Sequence, residues 1–431
     1  MKQFFYRTIS FFNVIESKIA FYPTLLAFLG FNFAFFMLYL ENKGASRYLI
    51  EHVPVLVVDN GDTAMTILSS LISGLISMVV FSFSMVMLLL SQASSNFSPR
   101  LLPGLISDKR HQIILGIYLF TILYCIFVLF SIQPTGDQYQ IPGFAVLLGI
   151  IQTVISIYAF IYFIHNISQS IQISNILQNI YKVAKKRLDR LIDNEENQFD
   201  EFPSSEDWYE YHSENSGYLQ NISFTNLVDI CQAEDIQLHI LPVKGIFVLN
   251  GIPLFRASKK LDENVINKIL TNFNFSRDEL VSDNYTLAFK QITEIIVKAM
   301  SPGINDPGTA INGIDYLTEL LALRMRKKDT SVIIREKKAY VRINTINFED
   351  LLHQIMASIR TYCKHDIILV QKLLLMFYYL EKQKSHDSSY SKNLRYEAEN
   401  LLKDAKESIK NEDDIKSATK LAAKFNLQTE N

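Results

Sequence analysis

The densest group of potential ligands lies in residues 299–310, whose sequence is AMSPGINDPGTA. The side chains of Asn305 and Asp306 carry oxygen atoms, which are the ligands that hard cations prefer. The free N–H groups of a helix that starts at this point would instead hold an anion. Ser301 and Thr309 add hydroxyl groups on either side. These four residues are therefore a candidate ligand site, for which no metal is specified.

The same segment also fits a connector between two helices. Pro302 and Gly303 end one helix, and Asp306 is a suitable N-cap for the next, with Pro307 at its first helical position. The residue types do not decide between a ligand site and a helix cap.

A second pattern could form a path for ions or small polar solutes. Hydroxyl side chains recur at intervals of seven from Thr63 to Ser91, within a stretch that carries no charged side chain between residues 64 and 90. A straight helix drifts only about 20° per heptad, so these hydroxyls form one continuous stripe. If several copies of the helix surround an axis, the stripe faces water, and two apolar side chains form a constriction. The predicted pore-lining residues are the hydroxyl stripe (Thr66, Ser70, Ser73, Ser77 and Ser84) and the constriction residues Phe81 and Leu88.

The stripe has a second interpretation, in which small residues let neighbouring helices approach closely. The hydroxyls then donate to carbonyl groups four residues earlier and lie inside the bundle of one subunit. Both interpretations imply association between helices, and neither proves conduction.

The segment after this helix, SQASSNFSPRLLPGLISDKRH, contains two prolines, which disfavour helical dihedral angles in the residues before them. In one interpretation, Ser98, Pro99 and Arg100 form an elbow that couples a soluble domain to the helix. In the other, the segment is an interfacial anchor, and the Arg100 guanidinium reaches the lipid phosphates.

Several classes of function are disfavoured by what the sequence lacks. The 42 Lys and Arg residues against 44 Asp and Glu residues give a net charge of −2, which argues against a nucleic-acid-binding protein. The three cysteines have neither disulfide nor zinc spacing. Phosphate-binding, dinucleotide-binding, serine-hydrolase and zinc-protease motifs are absent, so we expect no enzymatic activity.

Residues 245–254 follow a G-x-x-V-x-x-G-x-P-L pattern and are similar to half of a biotinyl or lipoyl carrier hairpin. Such carriers attach their cofactor to a lysine at an exposed tight turn, and Lys244 is not so placed. The segment is therefore predicted to be a structural β-unit without a cofactor.

The elements that position these residues begin with four membrane spans. Four stretches without Asp, Glu, Lys or Arg reach the roughly 20 residues that a helix needs to cross a bilayer. Basic residues cluster before the first span, between the second and third, and after the fourth, which predicts that both termini are cytoplasmic. No ionisable residue lies in the middle of a span, which argues against a proton-coupled carrier. The predicted spans lie at about 20–40, 62–92, 113–132 and 143–164.

The rest of the chain is predicted to be soluble. Residues 167–216 predict an amphipathic helix and an acidic linker, and residues 217–382 alternate strand and helix patterns. These patterns include hairpins at 238–257 and 332–343, and residues 383–431 predict a charged helical tail. The fold class is therefore an integral membrane protein with a four-helix transmembrane N-terminal region, residues 1–166, plus a cytoplasmic α+β domain.

Three motifs carry a resemblance to a known family: SQASSNFSPRLL, the strand SGYLQ, and SPGINDPGTA, in this order. Together they resemble the bacterial family of predicted membrane proteins catalogued as domain of unknown function 2254. The resemblance extends from the first span to about residue 382. It implies four membrane helices near the N-terminus and a cytoplasmic mixed domain, but no activity, ligand or catalytic residue.

Taken together, these patterns predict an oligomeric pore for ions or small solutes in the bacterial inner membrane, lined by the second span and gated by the cytoplasmic domain. The alternative is a non-conducting membrane anchor or sensor whose cytoplasmic domain binds a protein or small ligand. The expected partners are the lipid bilayer and further copies of the chain, without nucleic acid, and any soluble partner is left open.

Overall fold

The computed structural model describes residues 20–43, 58, 60–96, 109–132, 134–135, 138–139, 142–170, 172–196, 202–277, 284–336 and 338–425. The chain divides into two compact units, Met1–Gln172 and Ile173–Asn431.

The described part of the first unit contains four helices that are long and apolar enough to cross a membrane. They agree with the four predicted spans, although the second and fourth helices continue further than expected. Two short strands, β1 (Pro134–Thr135) and β2 (Gln138–Tyr139), pair antiparallel between the third and fourth helices. The helices are α1 (Phe21–Asn42), α2 (Gly61–Asn96), α3 (Lys109–Ser131) and α4 (Gly143–Ser170).

Helices α1 and α3 pack closely because glycines lie at their contact. A Cβ atom added to Gly30 would lie 2.4 Å from the carbonyl oxygen of Phe120, and one added to Gly116 would lie 2.4 Å from a methyl group of Leu26. Small residues let membrane helices approach until van der Waals packing holds them together, since lipid provides no hydrophobic drive between helices. The two glycines therefore set the separation of α1 and α3.

The first turn of α4 is tied to two other helices. The Glu41 carboxylate at the end of α1 accepts a hydrogen bond of 2.8 Å from the N–H of Ala145. The Tyr124 hydroxyl of α3 donates to the Ala145 carbonyl at 2.9 Å. A negative charge at this position also interacts favourably with the positive end of the helix dipole. These contacts therefore fix the start of the fourth span.

The described part of the second unit contains two β-sheets, nine α-helices and one short 3₁₀ helix, which confirms the predicted mixed domain. The strands are β3 (Tyr209–His212), β4 (Gly217–Ile222), β5 (Leu238–Ile240), β6 (Phe247–Val248), β7 (Pro253–Ala257), β8 (Phe273–Ser276), β9 (Thr330–Arg335) and β10 (Lys338–Asn344). The helices are α5 (Ile173–Glu196), α6 (Phe224–Glu234), α7 (Glu263–Leu270), α8 (Tyr285–Ala299), α9 (Pro307–Arg324), α10 (Phe348–Cys363), α11 (Ile367–Glu381), α12 (Ser389–Ser408) and α13 (Glu412–Ala422).

One sheet has five strands in the order β3-β7-β5-β10-β9, and the other has three in the order β6-β4-β8. Strands β5 and β10 are parallel, and the other neighbouring strands of both sheets are antiparallel. Apolar residues from both sheets form one buried core with Leu227 and Val228 of α6 and with Ile269 of α7. The two sheets and these two helices thus share one hydrophobic core.

The predicted hairpin at 238–257 is only partly correct. Strands β5 and β7 do pair antiparallel, with His239 opposite Arg256. The segment between them leaves the sheet, however, and its strand β6 pairs with β4. Gly245 and Gly251 lie on either side of β6 with φ angles of +87° and +84°. Both predicted turns therefore exist, but they redirect the chain between two sheets.

The boundaries predicted for the linker and the tail differ from the structure. Helix α5 belongs to the second unit, where it contacts α8 and α9, and β3 forms an edge of the five-stranded sheet. Glu210 of β3 pairs with Arg256 at 3.0 Å, so one acid of the predicted linker lies in an ion pair. Helix α12 contacts α10 and α11 and buries Tyr390, Leu394 and Leu401. In the sequence, the apolar residues of this helical face are interspersed with charged residues, so only a charged helical tail was predicted.

A buried arginine joins the end of α9 to the start of α10. Arg324 is 0% exposed, and its guanidinium donates to Asp329 Oδ1 at 2.5 Å, Ile346 O at 2.7 Å and Lys327 O at 3.0 Å. The same Asp329 oxygen accepts from the N–H of Phe348 at 3.1 Å. Burial by itself would lower the pKa of Arg324, but its negatively charged and hydrogen-bonding neighbours, including Asp329, raise it above the ordinary value. The guanidinium therefore stays charged inside the domain.

Candidate functional site

All seven predicted pore-lining residues lie on the exposed face of α2 in the single chain. Phe81 is 47% exposed and Leu88 is 62% exposed. A different set of α2 residues is buried on the side that contacts α3 and α4. With about 100° between successive residues, the centres of the two faces lie roughly 160° apart. The buried set includes Ala64, Leu68, Leu75, Ser82 and Leu89.

Hydroxyls of the stripe donate hydrogen bonds to their own helix. Thr66, Ser77 and Ser84 each donate to the carbonyl four residues earlier, at 2.7, 2.9 and 2.9 Å. Serine and threonine commonly bond in this way inside helices. Each oxygen then keeps its lone pairs as acceptors. The back-bonding expected from the packing interpretation is present, but the stripe is not inside the bundle of its own chain.

The interior of the bundle contains polar groups that the sequence analysis missed. Thr121 Oγ1 and Ser156 Oγ are 3.2 Å apart, and both residues are buried. Ser82 and Tyr118 are also buried within the bundle, at 0% exposure each. Tyr118 and Thr121 are three residues apart on α3, a spacing that places them on one helix face. That spacing was the available signal, and the stronger serine pattern of α2 obscured it.

Residues 300–306 connect α8 to α9 as the helix-cap interpretation predicts. Asp306 Oδ1 accepts from the Thr309 N–H at 3.1 Å, and Pro307 is the first residue of α9. Ser301 Oγ donates to the Lys298 carbonyl at 2.7 Å. Asn305 is exposed and has a φ of +49°. The polar groups of Ser301 and Asp306 thus hold the connector together, and a ligand role stays a prediction.

The predicted elbow, Ser98, Pro99 and Arg100, lies outside the described residues. Among the residues that are described, no group of three or more His, Cys, Asp or Glu side chains could hold a metal ion. The described residues therefore give no geometric support to the coupling role of the elbow or to a metal site.

A hydrogen-bonded group in the second unit, Ser205, His239 and Asn344, resembles a Ser-His-Asp hydrolase triad in which asparagine replaces the acid. Ser205 Oγ lies 2.5 Å from His239 Nδ1, and His239 Nε2 lies 2.9 Å from Asn344 Oδ1. The Asn344 amide nitrogen donates to the Leu241 carbonyl, so its oxygen is the acceptor for Nε2–H. Burial lowers the pKa of His239, which favours this neutral imidazole. Ser205 is only 4% exposed, so its hydroxyl lies within the folded domain and ties residue 205 to the five-stranded sheet.

A cavity of about 840 Å³ lies in the second unit, where α8, α10 and the turn before β6 meet. Its volume falls in the range of about 300–1,000 Å³ that is typical of small-molecule sites. The lining residues come from separate segments between residues 218 and 362, so no local sequence pattern marks the cavity. They include Lys244, Asn284, Thr286, Lys290, Thr293 and Glu294 among mainly apolar neighbours.

Comparison with known proteins gives a family but no activity. A family model described as predicted membrane protein (DUF2254) matches residues 16–379. Uncharacterised proteins of Mycobacterium bovis and Mycobacterium tuberculosis are each 26% identical to the chain over 317 residues, which cover 70% of this chain and 60% of each relative. The match thus spans only about 60% of the length of these curated relatives. No solved structure matches the chain. Because the family model covers most of the chain and agrees with the resemblance of its motifs, the chain belongs to the DUF2254 family of predicted membrane proteins.

Proposed function

We propose that the protein is an oligomeric pore for ions or small solutes in the bacterial inner membrane, with both termini in the cytoplasm. The observation that supports this proposal is the position of the hydroxyl stripe on α2. It lies opposite the face that α2 buries against its own bundle. In this proposal the C-terminal domain regulates passage and carries no enzymatic activity.

The exposed surface of α2 is divided into two adjacent strips. Ile76, Val80, Phe83 and Met87 are 47%, 60%, 58% and 52% exposed, and they follow one helical line beside the hydroxyl stripe. The apolar strip suits lipid. Hydroxyls gain nothing from lipid tails, whereas several copies of α2 that meet at the stripe surround a polar axis. This division favours a stripe that faces other subunits over one that faces lipid.

The bonding of the stripe also indicates which ions would pass. Where a hydroxyl proton points to a carbonyl of its own helix, the oxygen presents lone pairs outward. A ring of such oxygens stabilises cations and the hydrogens of water. We therefore propose a preference for cations, with Phe81 and Leu88 as a hydrophobic constriction that closes by dewetting. Gating would pass through the elbow at Ser98, Pro99 and Arg100.

Cysteine accessibility tests the lining assignment. Ser77→Cys and Ser84→Cys place thiols on the stripe, and Ser82→Cys places one on the buried face of the same helix. In membranes, a water-soluble charged thiol reagent should modify the first two and leave the third unmodified. Val80→Cys is the control for lipid exposure and should also stay unmodified. If Ser77→Cys reacts no faster than Val80→Cys, the stripe does not face water and the pore proposal fails.

The second candidate function is a non-conducting anchor or sensor whose C-terminal domain binds a small ligand, and the cavity at α8 and α10 favours it. Conductance of the purified protein in planar bilayers separates the two candidates. Discrete currents that Ser77→Trp abolishes, in a variant that still assembles, would support the pore. A silent bilayer together with a monomeric mass would favour the sensor.

A further inference from the structure

The cavity in the C-terminal domain contains a buried hydroxyl with an unmet hydrogen-bonding requirement. Thr293 lies in the middle of α8, lines the cavity and is 6% exposed, and its Oγ1 has no hydrogen-bond partner among the described residues. Thr318 and Thr419, also inside helices, donate to the carbonyl four residues earlier at 2.7 and 2.8 Å. A buried polar group without a partner is costly. An occupant that bonds to Thr293 would remove this cost.

The charges that line the cavity are basic at the N-terminal end of α8. The lining contains two basic residues, Lys244 and Lys290, and one acidic residue, Glu294, so its net charge is positive. Asn284 caps α8 and also donates to the Lys244 carbonyl at 3.2 Å, so Lys244 lies at the start of this helix. The positive end of the helix dipole adds to the same potential. This end of the cavity is therefore suited to a negatively charged group.

The wall around Lys244 is held in place before any ligand binds. Gly245 has a φ of +87°, and a Cβ atom added to it would lie 2.0 Å from the side-chain Nδ2 of Asn284. The Gly245 N–H donates to the Leu219 carbonyl at 2.8 Å. Only glycine permits both this conformation and this approach. The turn is thus fixed between β4 and α8, and a preformed site needs little ordering on binding.

Much of the remaining wall is apolar, although Gln354, Ser358 and Thr361 also line the cavity. Leu287, Leu351 and Ile355 are nearly fully buried, whereas Ile246 and Phe247 are 50% and 46% exposed. All five line the cavity. An occupant therefore needs an apolar body that enters past the two exposed side chains.

We propose that this cavity binds a small amphiphilic anion, with a carboxylate or phosphate head at Lys244 and Lys290 and an apolar body against α8 and α10. The Thr293 hydroxyl, whose oxygen is covered in the free protein, turns toward the cavity on binding and donates to the anionic head. The proposal for this site does not depend on the pore, because the site is formed by residues of the second unit and α2 belongs to the first.

Photolabelling of the full chain in phosphatidylcholine nanodiscs tests the site, because peptide mapping separates cavity labelling from insertion into lipid. The probe is decanoate with a diazirine at its apolar end. Label is expected in peptides that cover residues 286–297 and 351–362. Unlabelled decanoate or decyl phosphate should compete, and whichever competes more strongly identifies the head group. Decanol, which lacks the charge, should compete at least about tenfold more weakly. Equal competition by decanol, or no label in these peptides, would overturn the proposal.

Variants give the test a matched control. Lys290→Gln should weaken binding about tenfold, as expected for one lost charge-assisted hydrogen bond. Lys298→Gln removes the same charge from the same helix outside the cavity and should have no effect. Thr293→Val should weaken binding yet raise the unfolding temperature of the ligand-free protein, since it removes the unpaired hydroxyl. Equal labelling of the Lys290→Gln and Lys298→Gln variants would refute the assignment even if every variant folds.

Discussion

The buried guanidinium of Arg324 provides a test of how the C-terminal domain is held together. Asp329→Ala removes an acidic partner of this group, and it also removes the acceptor for the Phe348 N–H at the start of α10. Arg324 keeps its bonds to the carbonyls of Lys327 and Ile346, but these acceptors carry no net charge. The substitution therefore leaves a buried cation without that compensation.

The expected cost follows from burial. Breaking a buried ion pair by removing one partner costs about 3–5 kcal/mol. Asp329 is 33% exposed, so water screens part of the attraction, whereas the lost acceptor for the Phe348 N–H adds about 1 kcal/mol. We expect a net loss of about 3 kcal/mol, a large share of the roughly 5–15 kcal/mol of a typical domain. For a unit of this size, that loss lowers the unfolding midpoint by about 6–12 °C.

The assay uses Trp208, the single tryptophan of the chain, which lies in the same unit as Arg324. Its fluorescence during heating reports on the C-terminal domain rather than on the membrane helices. The control is Asp315→Ala, which removes an ion pair with Lys372 at the same distance of 2.5 Å but with Asp315 55% exposed. That variant should lose only about 0–1 kcal/mol. If the two substitutions shift the midpoint equally, burial is not what makes the Arg324 pair important.

Three further predictions address the bundle, the histidine chain and ion selectivity. Gly30→Ala should destabilise the membrane unit by about 1–3 kcal/mol, because the new Cβ atom would lie 2.4 Å from the Phe120 backbone. Gly74→Ala is the control and should cause no such loss, since a Cβ atom there has no neighbour within 4 Å. Resistance to detergent denaturation measures the stability of both variants. The pKa of His239 is lower in the folded protein than its ordinary value of about 6.5, so the unfolded chain binds more protons below that pH. The contribution of His239 to stability should therefore be fully present above about pH 6.5 and be lost on acidification. In a pH series of thermal unfolding, His239→Gln should lose less stability at low pH than the unsubstituted protein, whereas the control His365→Gln should not differ from it. Equal pH slopes for the two variants would contradict this reasoning. Reversal potentials in a salt gradient should show cation preference, and a preference for chloride would contradict the proposed role of the stripe oxygens.

The sequence by itself determined the features that depend on composition and local periodicity. Uncharged stretches long enough to cross a bilayer specify a membrane helix wherever the chain places them, so the four spans were predictable. The cap at Asp306 and Pro307 was predictable for the same reason, since its hydrogen bonds join residues three apart. The family motifs agreed with this local reading.

Only the tertiary structure decided which residues from distant segments meet. The seven-residue spacing showed that the hydroxyls of α2 share a face, but the packing of α3 and α4 decided that this face is the exposed one. The hairpin at 238–257 was only partly correct, because β5 and β7 pair as predicted but β6 between them pairs with β4, a contact that no local rule encodes. The cavity joins Lys244 to Lys290 and Thr293 for the same physical reason: long-range packing, not neighbouring residues, fixes where these side chains lie.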